Sequence, residues 1–192
     1  MNLDSLDNNM IPELFVHNVV ATIQLESDYI DIERLGQTLP YTNYDRNKFA
    51  AITIRLSDPV CTCLLFTSGK LVVTGASSWT EGLLTAYCIR DILAKVFNGK
   101  QFNVISYDVQ NIVAHVEIGH SLDLESMYND NAREATFQRN LFPGLIYRPL
   151  DQNIVLLCFK SGKIVITGGK SLTHINSQWI LAWEHVKNYI VK

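Results

Sequence analysis

The sequence predicts an α+β protein built from two similar halves, each an antiparallel sheet with two helices. One hairpin-like segment occurs twice, as LLFTSGKLVVTG at residues 64–75 and as LCFKSGKIVITG at residues 157–168. Matching residues in the two halves are separated by a constant offset, as in 111 − 18 = 93 for two Asn and 167 − 74 = 93 for two Thr. A constant offset indicates one unit that was duplicated without net insertion, with the halves related by a pseudo-dyad.

The first half shows a regular alternation of strand and helix patterns. Residues 15–25 are rich in β-formers and lack Pro and Gly, which favours a strand. Apolar residues at helical spacing predict helices later in this half. In chain order we expect strand 15–25, helix 30–39, polar loop 41–47, strand 49–56, a turn at Asp58-Pro59, hairpin 64–75 and helix 80–97.

The second half repeats this plan, and no low-complexity linker precedes it, so we expect the two sheets to join. Pro143 and Gly144 lie at the start of a predicted strand, where a missing ladder donor is tolerated. Trp179 and Trp183 are at helical spacing, which is typical of core residues and not of a cofactor site. The expected elements are strand 108–119, helix 122–128, a polar stretch to 140, strand 141–149, hairpin 157–168 and helix 177–191.

The chain is divided here into a flexible tail at residues 1–14, a first repeat at 15–106 and a second repeat at 107–192. The tail is acidic and does not have the pattern of a secretory signal. No apolar run reaches 18 residues, so no membrane partner is expected. All four cysteines lie within apolar runs and are expected to be buried thiols. Cys61 and Cys63 have no second pair at ligand spacing, so we expect neither a metal nor a cofactor.

Charge is distributed unevenly along both halves. Residues 46–75 carry four bases and one acid, and residues 139–170 carry five bases and one acid. Residues 26–45 and 108–134 carry mostly acids. The net charge of −3 argues against a generic nucleic-acid binder. Two interpretations stay open, a basic sheet that faces an anionic partner and a soluble surface with patches of both signs.

One face of each predicted sheet is apolar although two helices per half can cover only the other face. An antiparallel sheet normally alternates apolar and polar residues, so that its uncovered face is polar. Patches of this kind mark interaction surfaces, unless another layer or subunit covers them. The residues expected on this apolar face are Val20, Leu64, Phe66 and Val72 in the first half, and Val113, Leu157, Phe159 and Val165 in the second.

The minor groove of DNA suits such a surface. It offers sugar edges for apolar contact and mainly acceptor atoms, to which Asn and Thr can donate. A surface rich in Val cannot satisfy the amino donor of guanine, so A·T-rich sequence is favoured. Phosphates would then contact the Lys and Arg residues at the rim.

The sequence resembles the TATA-box-binding protein family over about residues 15–190. The segments that show this are, in order, HNVVATI, KFAAITIR, LLFTSGKLVVTG, QNIVAHV, LFPGLIYR and IVLLCFKSGKIVITG. The resemblance implies a saddle of two pseudo-symmetric repeats, a curved antiparallel ten-stranded sheet with four helices on its convex face. It also implies a transcription initiation factor that binds and bends TATA-like promoter DNA and nucleates assembly of the preinitiation complex. Kinking by apolar wedges in the minor groove is the known mechanism of this family and is inherited from the resemblance.

The resemblance assigns DNA-binding roles by position. Asn18 and Asn111 would donate to central bases, with Thr74 and Thr167 beside them. Val20, Val72, Val113 and Val165 would form the floor of the contact. The wedges would be Phe49 and Phe66 at one end and Phe142 and Phe159 at the other, backed by Leu64, Leu157 and Pro143. The expected phosphate contacts are Arg55, Lys70, Arg148 and Lys163.

Three departures from the family pattern lie away from most of that surface. His17 replaces a Gln before the first central Asn. Residues 138–140 (QRN) replace an acidic stretch at which transcription factor IIB docks in the family. Tyr87 and Cys88 interrupt a basic run on the second helix, leaving Arg90 and Lys95. The residues that would contact a factor IIB-like protein and the RNA polymerase machinery have therefore diverged, which suggests a divergent or viral homologue.

Two further functions are considered beside DNA binding. One is a scaffold of the same fold that engages proteins through its sheet and binds DNA weakly or not at all. The other is an enzyme, which is disfavoured because no paired catalytic residues, nucleophile elbow or phosphate loop occurs. When free of DNA, the protein would be able to form a homodimer through its apolar face. The expected location is the nucleus for a cellular eukaryotic protein, or the host nucleus, a viral factory or the virion for a viral one.

Overall fold

The structure is a computed structural model, and it describes residues 11–150 and 152–191. The described residues form ten β-strands and four α-helices. The strands are β1 Phe15–Leu25, β2 Thr42–Asn43, β3 Ala51–Ser57, β4 Val60–Phe66, β5 Lys70–Ala76, β6 Val104–Glu117, β7 Ala135–Thr136, β8 Leu145–Tyr147, β9 Val155–Cys158 and β10 Lys163–Gly169. The helices are α1 Ile32–Thr38, α2 Trp79–Val96, α3 Leu124–Asp130 and α4 Leu172–Val186, and a 3-10 turn follows at Lys187–Tyr189.

The chain divides into two compact units. The first unit comprises residues 17–111, and the second comprises the described residues among 11–16 and 112–191. The strands of the first unit are ordered β2-β3-β4-β5-β1, and those of the second are ordered β6-β10-β9-β8-β7. Every strand pair within each unit is antiparallel. Both units therefore have the same strand order, as expected for a duplicated element.

The core of the first unit lies between its sheet and helix α2. Alternate residues of the strands are fully buried, among them Ile23 on β1 and Leu71 on β5. Ile89 and Leu93 on α2 are buried as well, because residues four apart share one helix face. Helix α2 begins after Ser78, whose hydroxyl accepts a hydrogen bond from the Glu81 N–H at 3.1 Å and so caps the helix.

The core of the second unit lies under α4. Trp179 is fully buried, Trp183 is nearly so, and their ring centroids are 5.6 Å apart. The Trp179 indole Nε1 donates a hydrogen bond of 3.1 Å to the Pro12 carbonyl, which attaches the segment before β1 to this core. The predicted core role of both tryptophans is confirmed.

The repeat offset of the sequence is kept by the elements. Helices α2 and α4 begin 172 − 79 = 93 residues apart, and strands β5 and β10 begin 163 − 70 = 93 residues apart. The turn glycines Gly69 and Gly162 have φ of 79° and 86°, a conformation that side chains with a Cβ rarely adopt. Each hairpin therefore requires glycine at this position.

Several predicted bounds were wrong. Helix α4 begins at Leu172 and not at 177, because the Ser171 hydroxyl accepts from the His174 N–H and caps the helix there. Strand β8 has three residues instead of the nine expected at 141–149, since Pro143 and Gly144 lie in the preceding turn. The polar stretches at 41–47 and before 140 contain the short strands β2 and β7.

The predicted tail lies mostly outside the described residues. Of residues 1–14, the structure describes Ile11–Leu14, and Pro12 contacts the second unit as given above. None of the helices in the described part of the chain is long and apolar enough to cross a membrane.

Candidate nucleic-acid interface

The sheet of the first unit has one face that its helices leave uncovered, here called the first face. Its residues alternate along each strand with fully buried ones, as the pleat of a strand requires. They are half-buried to exposed: Asn18, Val20 and Thr22 on β1, Val72 and Thr74 on β5, Thr62, Leu64 and Phe66 on β4, and Thr53 and Arg55 on β3. The predicted sharing of faces along β1 and the hairpin is thus confirmed for the first unit.

The second unit has a corresponding second face. Along β6, Val113 and His115 are half-buried, whereas the intervening Ala114 is fully buried. Asn111, the last residue of the first unit, lies two residues before Val113 on the same side of β6 and is half-buried too. The remaining residues of this face are Ile146 on β8, Arg148 directly after β8, Val155 and Leu157 on β9, Phe159 directly after β9, and Lys163, Val165 and Thr167 on β10.

Each face ends in a pair of phenylalanine rings. Phe49 and Phe66 have ring centroids 6.0 Å apart with an interplanar angle of 65°. Phe142 and Phe159 have centroids 5.6 Å apart with the same angle of 65°. This edge-to-face geometry is favourable for aromatic pairs. Phe49 is 48% exposed, which is unusual for a large apolar side chain, so the ring is available to a partner.

Phe49 and Phe142 do not lie on strands, contrary to the predicted strands 49–56 and 141–149. Strand β3 begins two residues after Phe49, and β8 begins three residues after Phe142. Both residues close a turn instead: the Phe49 N–H donates to the Asp45 carbonyl at 3.0 Å, and the Phe142 N–H donates to the Gln138 carbonyl at 2.9 Å. Each ring is therefore presented from a turn beside the sheet.

The Asn18 side chain is oriented by two hydrogen bonds within the first unit. Its Oδ1 accepts from the Gly75 N–H at 2.7 Å and from the Thr74 hydroxyl at 3.3 Å. With the carbonyl end engaged in this way, the Nδ2 amino group is the donor that Asn18 can offer to a partner. The structure thus brings Asn18 and Thr74 together, as predicted.

The basic residues expected to contact phosphates lie at the margins of the two faces. Arg55 is exposed two residues before the end of β3, Arg148 is exposed directly after β8, and Lys70 is exposed at the first position of β5. Lys163, at the first position of β10, is half-buried, and its cross-strand neighbour is Glu117. Pro143 is exposed and lines a cleft of about 530 Å³ in the second unit, together with Phe137, Arg139 and Lys160.

One row of residues across each face was only partly found from the sequence. On the first face the row contains Thr22, Val72, Leu64 and Thr53 on four adjacent strands. On the second face it contains His115, Val165, Leu157 and Ile146. The Val and Leu members were predicted, whereas His115 and Ile146 were missed. The offset 115 − 22 = 93 was the signal that could have found His115.

Groups suited to covalent or metal chemistry are not gathered on either face. Burial raises the pKa of Cys63 and of Cys158 to about 12, so both thiols stay protonated at neutral pH. Within residues 11–150 and 152–191, no three His, Cys, Asp or Glu side chains are grouped so that they could bind a metal ion. The arrangement supports binding through apolar contact, hydrogen-bond donors and positive charge.

Fold and site together define a protein with two matching apolar sheet faces, each bordered by basic residues and ending in an aromatic pair. The family model described as "Transcription factor TFIID (or TATA-binding protein, TBP)" matches residues 13–96 and 106–188. The chain belongs to this family. Because the family is one of transcription factors, the prediction that the chain is not an enzyme is confirmed.

Individual relatives agree with this assignment. The TATA-box-binding protein of Tetrahymena thermophila is 32% identical over 97% of this chain and 78% of its own length. That of Candida albicans is 36% identical over 90% of this chain and 73% of its own. The solved structure of Methanococcus jannaschii TBP matches with a TM-score of 0.79 at 31% identity, covering 92% of this chain and 99% of that one. The predicted α+β fold class, with ten antiparallel strands and four helices, is confirmed.

Proposed function

We propose that this protein is a sequence-specific transcription initiation factor that binds A·T-rich, TATA-like promoter DNA through the minor groove. The observation that carries the proposal is the duplicated aromatic pair, with one edge-to-face Phe pair at the end of each apolar face. The relatives are named TATA-box-binding proteins, which supports the same partner.

The chemistry of the faces favours A·T pairs. Asn18 offers an oriented amino donor, and the minor groove presents acceptors on both A·T and T·A pairs. Val20 and Val72 on the first face, like Val113 and Val165 on the second, have no acceptor for the amino group of guanine. A G·C pair against this surface would leave its donor unsatisfied, which costs binding free energy.

The exposed rings give a reason for DNA bending. Phe49 is half exposed in the free protein, so covering the rest of its ring contributes about half of the roughly 1.5–3 kcal/mol of a full Phe burial. Insertion between base steps is the wedge mechanism of this family, and the bending is proposed here on that basis. Arg55, Lys70, Arg148 and Lys163 at the margins would contact phosphates and supply salt-dependent affinity.

Assembly of a preinitiation complex is proposed from family membership. The cleft beside Pro143 is lined by Arg139 of the QRN stretch, and Arg139 forms an ion pair with Glu125 on α3. A factor IIB-like protein that docks here would meet a surface without the acidic stretch of the family. The eukaryotic relatives support a nuclear location. Without DNA, pairing of the apolar faces would give a homodimer, which sedimentation at rising concentration would detect.

The proposal is tested by bending and binding of a TATA duplex labelled at both ends for energy transfer. Phe49→Ala and Phe142→Ala are expected to abolish bending while the thermal unfolding of the protein is little changed. Tyr29→Ala is the matched control, since Tyr29 is 62% exposed but lies in the loop between β1 and α1. Unchanged bending in both Phe variants, or no binding by the unaltered protein, would contradict the proposal.

A protein-interaction scaffold is the second candidate function. The charge of the chain favours it, because residues 15–192 contain 16 bases and 16 acids, and Glu117 lies beside Lys163 on the second face. A scaffold would show no salt-sensitive DNA binding. Measurement of DNA affinity at two salt concentrations separates the two functions, since affinity that rests on phosphate contacts falls steeply with salt.

A further inference from the structure

The two faces share the centre of a row of residues and differ at both of its ends, where Thr22 and Thr53 on the first face correspond to His115 and Ile146 on the second. The central residues of the row are Val and Leu on both faces, at positions 72 and 64 and at positions 165 and 157. On β1 the row begins with Thr22, whereas on β6 it begins with His115. A titratable side chain on the second face therefore occupies the position of a neutral hydroxyl on the first.

The His115 side chain lies on the second face itself. It is half-buried, it follows Val113 by two residues along β6, and Val165 is its cross-strand neighbour on β10. The ring of Phe15 lies beside the imidazole, with centroids 5.5 Å apart and an interplanar angle of 33°. Contact with these apolar groups restricts the imidazole and keeps it next to residues that are expected to contact DNA.

Charged residues lie near His115 in the sheet of the second unit. Glu117 follows it by two residues on the same side of β6, and Lys163 on β10 is paired with Glu117 across the strands. Phe15 and Val165, which also lie beside His115, are uncharged. Histidine is the side chain that ordinarily changes charge between about pH 5 and 8.

We propose that His115 contacts DNA on the second face and that protonation of its imidazole strengthens this contact. The inference rests on the proposed function. The Nδ1 atom of His115 is buried, so the contact would be made through Nε2. Protonation gives the ring a positive charge, while the DNA offers base acceptors and phosphates. The contact adds one ionic interaction at acid pH that Thr22 cannot supply on the first face.

The test compares the unaltered protein with His115→Thr, which restores the residue type found at Thr22. Affinity for a fluorescent A·T-rich duplex is measured by anisotropy at about pH 5.5 and 8, over a series of salt concentrations. The quantity compared is the ratio of the affinity of the unaltered protein to that of His115→Thr. We expect this ratio to be about tenfold larger at the lower pH than at pH 8. For the unaltered protein, the slope of log affinity against log salt concentration should also steepen by about 0.9 at the lower pH, as one added phosphate contact requires.

His120→Asn is the control, because His120 is exposed after the end of β6 and is expected to keep the response of the unaltered protein. An equal pH response and an equal salt slope in His115→Thr would overturn the inference while leaving the proposed function intact. Failure of the unaltered protein to bind DNA at either pH would instead contradict the proposed function.

A second measurement covers the case in which His115→Thr folds poorly. The imidazole carbon–proton resonances of the unaltered protein are recorded by NMR with and without the duplex, and His115→Gln serves to assign the His115 signal. We expect the duplex to shift this signal and to raise its titration midpoint, since DNA favours the charged form. An unchanged signal and midpoint would overturn the inference.

Discussion

The Phe142 ring lies edge-on to Phe159 with centroids 5.6 Å apart, and Gly144 leaves the space that this pair occupies. A Cβ built on Gly144 would lie 2.8 Å from the Phe142 ring and 3.1 Å from the Phe159 ring. At the matching position of the first unit, 144 − 93 = 51, the chain has Ala51, and there the two centroids are 6.0 Å apart. Gly144 thus permits the closer aromatic pair.

Gly144→Ala is expected to displace the Phe142 ring and to weaken DNA binding by about tenfold, as loss of part of one buried ring contact implies. Stability should fall only modestly, because the edge of the half-buried Phe142 ring can move, while the Cys158 carbonyl at 3.2 Å from the new Cβ must shift slightly. Affinity and bending are measured with the labelled duplex, and stability is measured by thermal unfolding. Ala51→Gly is the reciprocal control and should affect stability more than DNA binding. Wild-type affinity in Gly144→Ala would show that the ring position does not matter.

Asn18→Asp distinguishes the acceptor role of the Asn18 carbonyl oxygen from the donor role of its amino group. Aspartate keeps an oxygen to accept from the Gly75 N–H and the Thr74 hydroxyl, so the free energy of unfolding should change by less than about 1 kcal/mol. It removes the amino donor and places a negative charge against DNA, so affinity should fall at least about tenfold. Chemical denaturation and anisotropy measure the two effects. Equal losses in stability and in binding would contradict a donor role.

The basic margins predict a graded salt effect. Replacement of Arg55, Lys70, Arg148 or Lys163 by Ala should each reduce the log–log salt slope of DNA binding by about 0.9. Lys95→Ala is the control, because Lys95 is exposed in the last turn of α2, away from the sheet faces. Affinity is measured between low and moderate salt on one duplex. A slope that no replacement alters would exclude phosphate contacts at these residues.

Glu81 at the start of α2 predicts a pH dependence of stability. Its carboxylate accepts hydrogen bonds from the Ser77 hydroxyl and the Ser77 N–H, which lower the pKa of Glu81 below its ordinary value of 4.5. A lowered pKa in the folded state means that this stabilisation is present above pH 4.5 and is lost as the pH falls below it. Glu81→Gln should therefore unfold at a lower temperature than the unaltered protein at neutral pH. The difference in Tm should shrink toward acid pH, and a constant difference would contradict the ionic role.

Strands with strong local signals were found from the sequence. Strand β1 has the bounds predicted, Phe15–Leu25, because an uninterrupted β-rich run needs no information from elsewhere in the chain. Both hairpins were found from their Ser-Gly turns, where φ is positive at Gly69 and Gly162. The faces of Asn18 and Val20 followed from the two-residue period of a strand.

Short strands that are stabilised only by pairing with a neighbouring strand were not predicted. β2 and β7 have two residues each, pair with β3 and β8, and lie within polar stretches whose composition favours loops. Helix α4 begins five residues before the predicted start, since its apolar period is clearest around the tryptophans whereas its first turn is fixed by the capping Ser171. His115 was missed because a lone histidine within an apolar strand has no motif of its own.

The sequence by itself determined the duplication, the class of fold, the identity of the apolar face and the family, because periodicity and turn chemistry are local and repeat at a constant offset. The tertiary structure alone decided what each side chain contacts. It set the Phe142 ring edge-on to Phe159 from a turn beside the sheet, engaged the Asn18 carbonyl with Gly75, and aligned His115 with Val165. These relationships join residues far apart in the chain, and strand register, which fixes them, depends on the packing of the whole sheet.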